Sequence, residues 1–262
     1  MSLVFSSIVP HPPLIIPSVG KENAALLKKT SESYKKLEED LYASQPETLI
    51  IISPHGCIQE NSFSLNQSPE FTANMEGFGD FSTKLTVSGN IMLAHKIRER
   101  LETKAPLQMI SEEKLDYGAS VPLLQLVPHL PKIKIIPIYY SGQNLEANYL
   151  FGRLLKKEIL RTKERVAVVA SGDLSHRLSK NSPAGYSPKG KKFDKELIEL
   201  LLTGKTQEII KMDEKFIHEA CECGLKSIAI LLGILDGMKC RPIELSYESP
   251  FGIGYLAMQF KF

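Results

Sequence analysis

Several common signatures are missing from this 262-residue chain. No apolar run is long enough to cross a bilayer, which takes about 20 residues. The longest candidate, Ile228 to Leu235, is interrupted by Gly233 and fits a buried helix. The start, Met1 to Pro13, lacks a basic leader and meets prolines too early for a secretory signal. Cysteine is scarce: Cys57, Cys221, Cys223 and Cys240 are the four present, and without a leader they are expected to be reduced. Cys221 and Cys223 form C-x-C with no second pair, which excludes a zinc-finger spacing. There is no Walker A motif and no G-x-S-x-G elbow, and the glycines at 252 and 254 do not open a helix after a first strand. Nucleotide cradles and a serine-hydrolase elbow are therefore set aside. A net charge of +2 and a pI near 8.2 lack the concentrated basic face that nucleic acid requires. The lysine clusters, such as Lys189 to Lys192, read as solvated helix or loop surface. The expected location is the cytoplasm.

What is present is an ordinary globular composition, 43% hydrophobic and 24% charged, in a chain long enough for a large core. Runs at Leu3 to Val9, Thr48 to Ser53, Lys134 to Tyr140 and Arg165 to Ala170 predict strands, and the continuous apolar pattern of Thr48 to Ser53 is that of a strand buried on both faces. Helical spacing predicts helices over Lys21 to Ala43, Ile91 to Glu102, Val121 to Val127, Leu145 to Arg161 (Leu150, Leu154 and Ile159 inward) and Phe193 to Leu202. Asp213 to Leu235 reads as one long helix or two end to end. Ser62 to Asn66 and Lys84 to Val87 are further strand candidates, separated by a loop rich in glycine and phenylalanine (Gly77, Phe78, Gly79, Phe81). Glu244 to Tyr247 and Ile253 to Phe260 read as a closing strand pair. Strands alternating with helices predict an α/β fold: a mostly parallel central sheet, helices on both faces, and an antiparallel edge. No repeat or linker divides the chain, so residues 1–262 are expected to form one domain.

Three of the six histidines, His11, His55 and His176, follow predicted strands. Ligands of open α/β sheets bind beyond the carboxyl ends of the strands. If these strands are parallel neighbours, three imidazoles far apart in sequence converge, and imidazole is both a common metal ligand and the natural acid or base near neutral pH. His95 and His129 read as structural; His218 stands next to the acidic cluster Glu219-Ala220-Cys221-Glu222-Cys223-Gly224 and is ambiguous. On a helix Glu219, Glu222 and Cys223 would share a face, and a solvated face is the ordinary reading. The apolar run that follows, and a glycine that admits another backbone or a ligand, point the other way. Asp173, three residues before His176, either orients that imidazole or caps a following turn.

Six segments in order, V-P-H-P-P-L-I-I-P-S-V-G, I-I-I-S-P-H-G, D-Y-G-A-S-V-P-L, A-S-G-D-L-S-H-R-L, E-C-G-L-K-S and S-Y-E-S-P-F-G-I-G-Y-L, cover nearly the whole chain. Together they resemble the class III extradiol dioxygenase (LigB) superfamily, in particular the LigB-like part of AmmeMemoRadiSam system proteins, related to the Memo family. The resemblance implies that His11 and His55 bind a metal, Fe(II) first, with Zn(II) or copper as alternatives. It implies a glutamate as third ligand, here Glu222 or else Glu219; in Memo-like relatives that position is a cysteine, here Cys223. It gives His176 the acid/base role, with Asp173 as its acidic neighbour. Where relatives read D-H-G-A this chain has Asp116-Tyr117-Gly118-Ala119, and a tyrosine at the substrate- and oxygen-handling position is a poor base near neutral pH. The activity implied is ring cleavage of a small aromatic diol with dioxygen. The rivals are Memo-like binding of a peptide or redox ligand, and metal-assisted hydrolysis or modification beside a radical-SAM protein. The branch is often fused to an AMMECR-like domain; with this chain ending at Phe262, such a partner is expected to be a separate protein. Association of like chains is expected as well.

Overall fold

The all-apolar runs become strands because each can bury both of its faces. In the computed structural model, which describes residues 2–262, every residue of β2 (Thr48–Ser53) is buried. Leu49 and Ile51 enter one hydrophobic layer, and Ile50 and Ile52 enter the other. The same alternation holds along β7 (Lys134–Tyr139) and β8 (Val166–Ser171), where Ile135, Ala167 and Val169 face one layer and Ile136, Val168 and Ala170 the other. The remaining strands are β1 (Leu3–Val9), β3 (Phe63–Asn66), β4 (Glu70–Met75), β5 (Asp80–Gly89), β6 (Leu107–Ile110), β9 (Arg241–Glu248) and β10 (Tyr255–Lys261). The helices are α1 (Pro17–Gly20), α2 (Lys28–Ser44), α3 (Ile91–Leu101), α4 (Tyr117–Leu126), α5 (Leu145–Arg161), α6 (Pro188–Leu202), α7 (Thr206–Ile210), α8 (Glu214–Ala220) and α9 (Leu225–Leu235).

Among the described residues ten strands form one mixed sheet, ordered β4-β5-β7-β2-β8-β1-β10-β9. The centre, β7-β2-β8-β1, is parallel throughout. Antiparallel pairs close both margins, β4 with β5 and β9 with β10. The outer edge of β7 is shared: β5 pairs with its start through Ser88 and Gly89, and β3 with its end through Ser64 and Leu65. One face is covered by α2 and α4, through Tyr34, Leu37, Leu41, Val121 and Leu126. The other carries α3, α5, α6 and α9. The fold is thus α/β with helices on both faces, and among the described residues no helix is long and apolar enough to cross a membrane.

Several boundaries differ from expectation for identifiable reasons. The single helix expected over Lys21 to Ala43 is broken: Lys21 takes a positive φ of 49°, and a 3₁₀ segment over Lys21–Leu27 precedes α2. β4 and β6 were not foreseen; both are short, and β6 buries no residue fully. Pairing with β5 and β3, not composition, makes them strands. In α5 the inward row is Phe151, Leu155 and Ile159, whereas Leu150 is exposed. Leu150 lies one position out of phase with the buried stripe. The segment Asp213 to Leu235 is two helices, α8 and α9, parted at Cys221, whose φ of 54° is left-handed. Glu219, Glu222 and Cys223 therefore do not share a helical face.

Helices α5 and α9 approach closely enough to need glycine on both sides. A Cβ on Gly152 would lie 2.0 Å from the Ile230 carbonyl oxygen, and one on Gly233 would lie 2.0 Å from that of Tyr149. Overpacking of this kind costs roughly 1–3 kcal/mol. Gly152→Ala is expected to lose about that much stability in urea unfolding with an unchanged m value; a loss below about 0.5 kcal/mol would contradict the close approach.

Candidate metal centre

The strand order brings the three histidines together. β1 and β2 both flank β8, all three run parallel, and Val9 pairs with Ser171 while Ile52 pairs with Ala170. Their carboxyl ends are level, so His11, His55 and the loop reaching His176 emerge on one edge, as convergence of parallel neighbours requires. His11 Nε2 lies 3.0 Å from His55 Nε2. Cys223 Sγ lies 3.6 Å from His11 Nε2. One ligand atom from each of His11, His55 and Cys223 falls within 4.8 Å of the others, and Asp173, His176 and Cys223 form a second such group.

The protonation of His11 follows from its neighbours. Ser171 donates its hydroxyl proton to the Gly118 carbonyl at 2.5 Å. That hydroxyl has no second proton, so in the 2.9 Å contact with His11 Nδ1 it must accept. Neutral His11 thus carries its proton on Nδ1 and leaves Nε2 bare, the state a metal ligand needs. Burial, reinforced by His176, lowers the His11 pKa to about 3. Burial also brings His55 to about 3, with His11 and His176 adding to it. His176 is fixed in the same tautomer, because its Nδ1 lies 2.8 Å from the Cys221 carbonyl, which can only accept.

The segment D-Y-G-A can be read residue by residue. Asp116 caps α4 by accepting from the Ala119 amide at 3.1 Å, and it ties α4 to β2 by accepting from Ser53 Oγ at 2.5 Å. This places the Tyr117 ring on His55, 4.3 Å between centroids and 17° from parallel, with its hydroxyl 2.9 Å from His55 Nε2. Burial and nearby Cys223 and Asp173 raise the Tyr117 pKa, so the phenol keeps its proton. A Cβ on Gly118 would lie 2.7 Å from Ser53 Oγ and 3.1 Å from the His55 ring, so a side chain here would press on the Ser53–Asp116 contact and on the imidazole.

Two expectations are corrected. Glu222 does not face the imidazoles: its carboxylate accepts from the Leu225 amide at 2.5 Å, at the first turn of α9. The orphan amides of that helix start take its oxygen, and Cys223, the next residue, stands beside His11 instead. Glu219 is no nearer to replacing it: its carbonyl takes a contact from Arg177, and it belongs to neither ligand group. Asp173 likewise serves His11 rather than orienting His176, accepting from the His11 backbone amide at 2.9 Å. Burial raises its pKa to about 6. The Cys223 thiol is also pushed upward, first by burial and then by Asp173 and Glu222. A bound cation would reverse that, since coordination deprotonates a thiol. His95 and His129 sit outside the cluster, paired with Glu99 and Glu38, and His218 is exposed at the end of α8.

Contributors with little signature in the sequence are Ser171, Gly172 and Asp194. A Cβ on Gly172 would lie 2.1 Å from Gly224 Cα, so the turn bearing Cys223 rests backbone to backbone on the end of β8. Asp194 on α6 accepts from the Ser175 amide at 2.8 Å and from the Tyr247 hydroxyl at 2.6 Å, which fixes the loop just before His176.

With this geometry in place, the comparisons define the class. Residues 6–258 match the family described as catalytic LigB subunit of aromatic ring-opening dioxygenase, and the chain belongs to that family. It is 33% identical over 269 residues to Protein CA_C1420 of Clostridium acetobutylicum, an alignment covering 99% of this chain and 58% of that protein. The chain therefore spans less than two thirds of that relative's length. The crystal structure of the uncharacterized protein JW3007 from Escherichia coli K12 shares the fold, with a TM-score of 0.71 at 16% identity over 98% of this chain and 99% of the other.

Buried Asp194 has its pKa raised to about 6, chiefly by desolvation against two opposing hydrogen bonds. A carboxyl raised in the folded state contributes stability that is fully present below its unfolded pKa and lost as pH rises through about 6. The loss is about 3 kcal/mol. Asp194→Asn is expected to flatten urea-derived stability between about pH 4 and 6 by that amount relative to the wild type; identical slopes would show that Asp194 titrates normally.

Proposed function

We propose that this protein is a metal-dependent, extradiol-dioxygenase-like member of its family that acts on a small catecholic aromatic, with His11, His55 and Cys223 as its metal ligands. The observation that carries this reading is the bare Nε2 of His11 beside His55 Nε2 and Cys223 Sγ. Two ligands each about 2.0–2.1 Å from one ion stand roughly 3 Å apart, so the imidazole spacing fits a divalent transition metal. When bound, the metal supplies a Lewis acid and open positions for a diol and dioxygen.

The chain's own residues supply the rest. His176 has spent its Nδ1 proton on the Cys221 carbonyl, so Nε2 is its basic nitrogen and takes the diol proton, returning it later. Tyr117 keeps its proton and offers a hydrogen bond to a substrate oxygen, not a second base. A thiolate among the donors is softer than a carboxylate, so zinc and copper compete with the Fe(II) expected from the resemblance. The same thiol, together with Tyr117 in place of a histidine, favours one second reading: Memo-like binding of a redox ligand without ring cleavage. A protein partner of AMMECR-like or radical-SAM type, and association of like chains, remain part of the proposal.

Metal analysis of anaerobically purified protein tests the ligand set. Cys223→Ser is expected to lose at least nine-tenths of the metal and Glu222→Gln to retain it; the reverse pattern would restore Glu222 as the ligand. Ser171→Ala, which frees the His11 tautomer, is expected to weaken metal affinity roughly 10- to 100-fold. Oxygen uptake with catechol, protocatechuate and gallate tests turnover. His176→Ala is expected to abolish uptake with metal content unchanged, and no uptake by metal-loaded wild type with any of the three would favour the binding reading.

A further inference from the structure

The glycine- and phenylalanine-rich hairpin between β4 and β5 is not used by the chemistry above, yet its tip reaches the metal centre. The Phe78 ring meets Tyr117 edge-on, 5.4 Å between centroids at 78°. Tyr117 in turn stacks on His55, and His55 meets His11 edge-on at 4.8 Å. Phe78 is thus the outermost ring of a continuous aromatic series that ends at the two imidazoles. It is 43% exposed, although nothing in the hairpin's own pairing requires an apolar side chain there. The tip turns through Gly77 and Gly79, the latter at φ 81°, and a Cβ on either would meet nothing within 4 Å.

The hairpin is tied to the segment that follows His11. At its base Asp80 accepts from Ser18 in the segment that follows His11, and from the Ser82 amide and hydroxyl at 2.9 and 2.7 Å. The loop carrying one histidine and the hairpin carrying Phe78 are therefore tied together. An exposed aromatic ring on a fixed loop beside a polar centre is the arrangement that selects flat ligands: it offers a large apolar face at little conformational cost, and offset or edge-on ring pairing rewards only a planar partner.

We propose that Phe78 is the specificity-determining residue of this site, forming with Tyr117 an aromatic wall against which a planar ring stacks while its oxygens reach the His11–His55–Cys223 centre. This rests on the reading of that centre as a metal site for a small aromatic diol. It adds that preference for aromatic over non-aromatic chelators comes from the hairpin and not from the metal.

The test compares 4-nitrocatechol with oxalate, a non-aromatic bidentate chelator, on anaerobic metal-loaded protein by absorbance titration and calorimetry. Phe78→Ala is expected to weaken 4-nitrocatechol roughly 3- to 10-fold, the effect of losing one ring partner, while the dissociation constants of oxalate and of the metal stay unchanged. Phe78→Trp keeps a ring and is expected to retain 4-nitrocatechol affinity. The chain has no tryptophan of its own, so quenching of this single fluorophore gives an independent titration of 4-nitrocatechol binding near the hairpin. Phe81→Ala, at the 72% exposed neighbour, is expected to change none of these values. Equal weakening of both chelators by Phe78→Ala, or no weakening of 4-nitrocatechol, would overturn the assignment of Phe78 alone. A wild-type protein that binds metal but no 4-nitrocatechol, or binds no metal, would instead overturn the reading of the centre on which it rests.

Discussion

The contact between Gly172 and Gly224 is the constraint on which the site depends. His11 and His55 are delivered by parallel strands, β1 and β2, that flank β8 on either side with their carboxyl ends level, so the sheet order itself brings them to one edge. Cys223 is not so delivered: it comes from a turn between α8 and α9, far along the chain from the end of β8 at Ser171. Only because both chains lack a Cβ at the crossing can that turn settle on the strand end. Hydrogen bonds from the Gly224 and Cys223 amides to the Asp173 carbonyl then hold it there. A side chain on either glycine would force apart the two backbone segments that bring the sulfur to the imidazoles.

A second layer of hydrogen bonds makes the centre chemically definite. Ser171 decides which nitrogen of His11 is bare, and it can do so only because Gly118, in the first turn of α4, presents a carbonyl to take the serine proton. Asp116 secures that helix start to β2 through Ser53. The four residues D-Y-G-A therefore act as a fastening between two strands, a ring over His55 and a relay to His11. Their importance is positional as well as chemical.

Much of this was legible in the sequence, and the remainder was hidden for physical reasons. The strands of the sheet centre announced themselves because a strand buried on both faces shows no polar alternation, as in the uninterrupted L-I-I-I of T-L-I-I-I-S. The level of their ends followed from the histidines each one precedes. The third member of the cluster was harder to assign. E-A-C-E-C-G reads as a helical face only if the helix continues, and the left-handed residue that stops it is a cysteine, which carries no turn signature. Once the helix ends at Cys221, Glu222 becomes the residue that satisfies the next helix's amides and Cys223 the one that turns inward. β4, β6 and the role of Asp194 depend on partners distant in sequence, so no local pattern encodes them.

The Cys221 carbonyl holds His176, and two residues later the same turn presents the Cys223 sulfur. The His176 imidazole and the Cys223 sulfur are thus mounted on a single short bracket of backbone. Anything that draws the sulfur toward the imidazoles also drags the carbonyl that aims His176. Imidazole and sulfur therefore shift as one unit, and neither can be repositioned without the other.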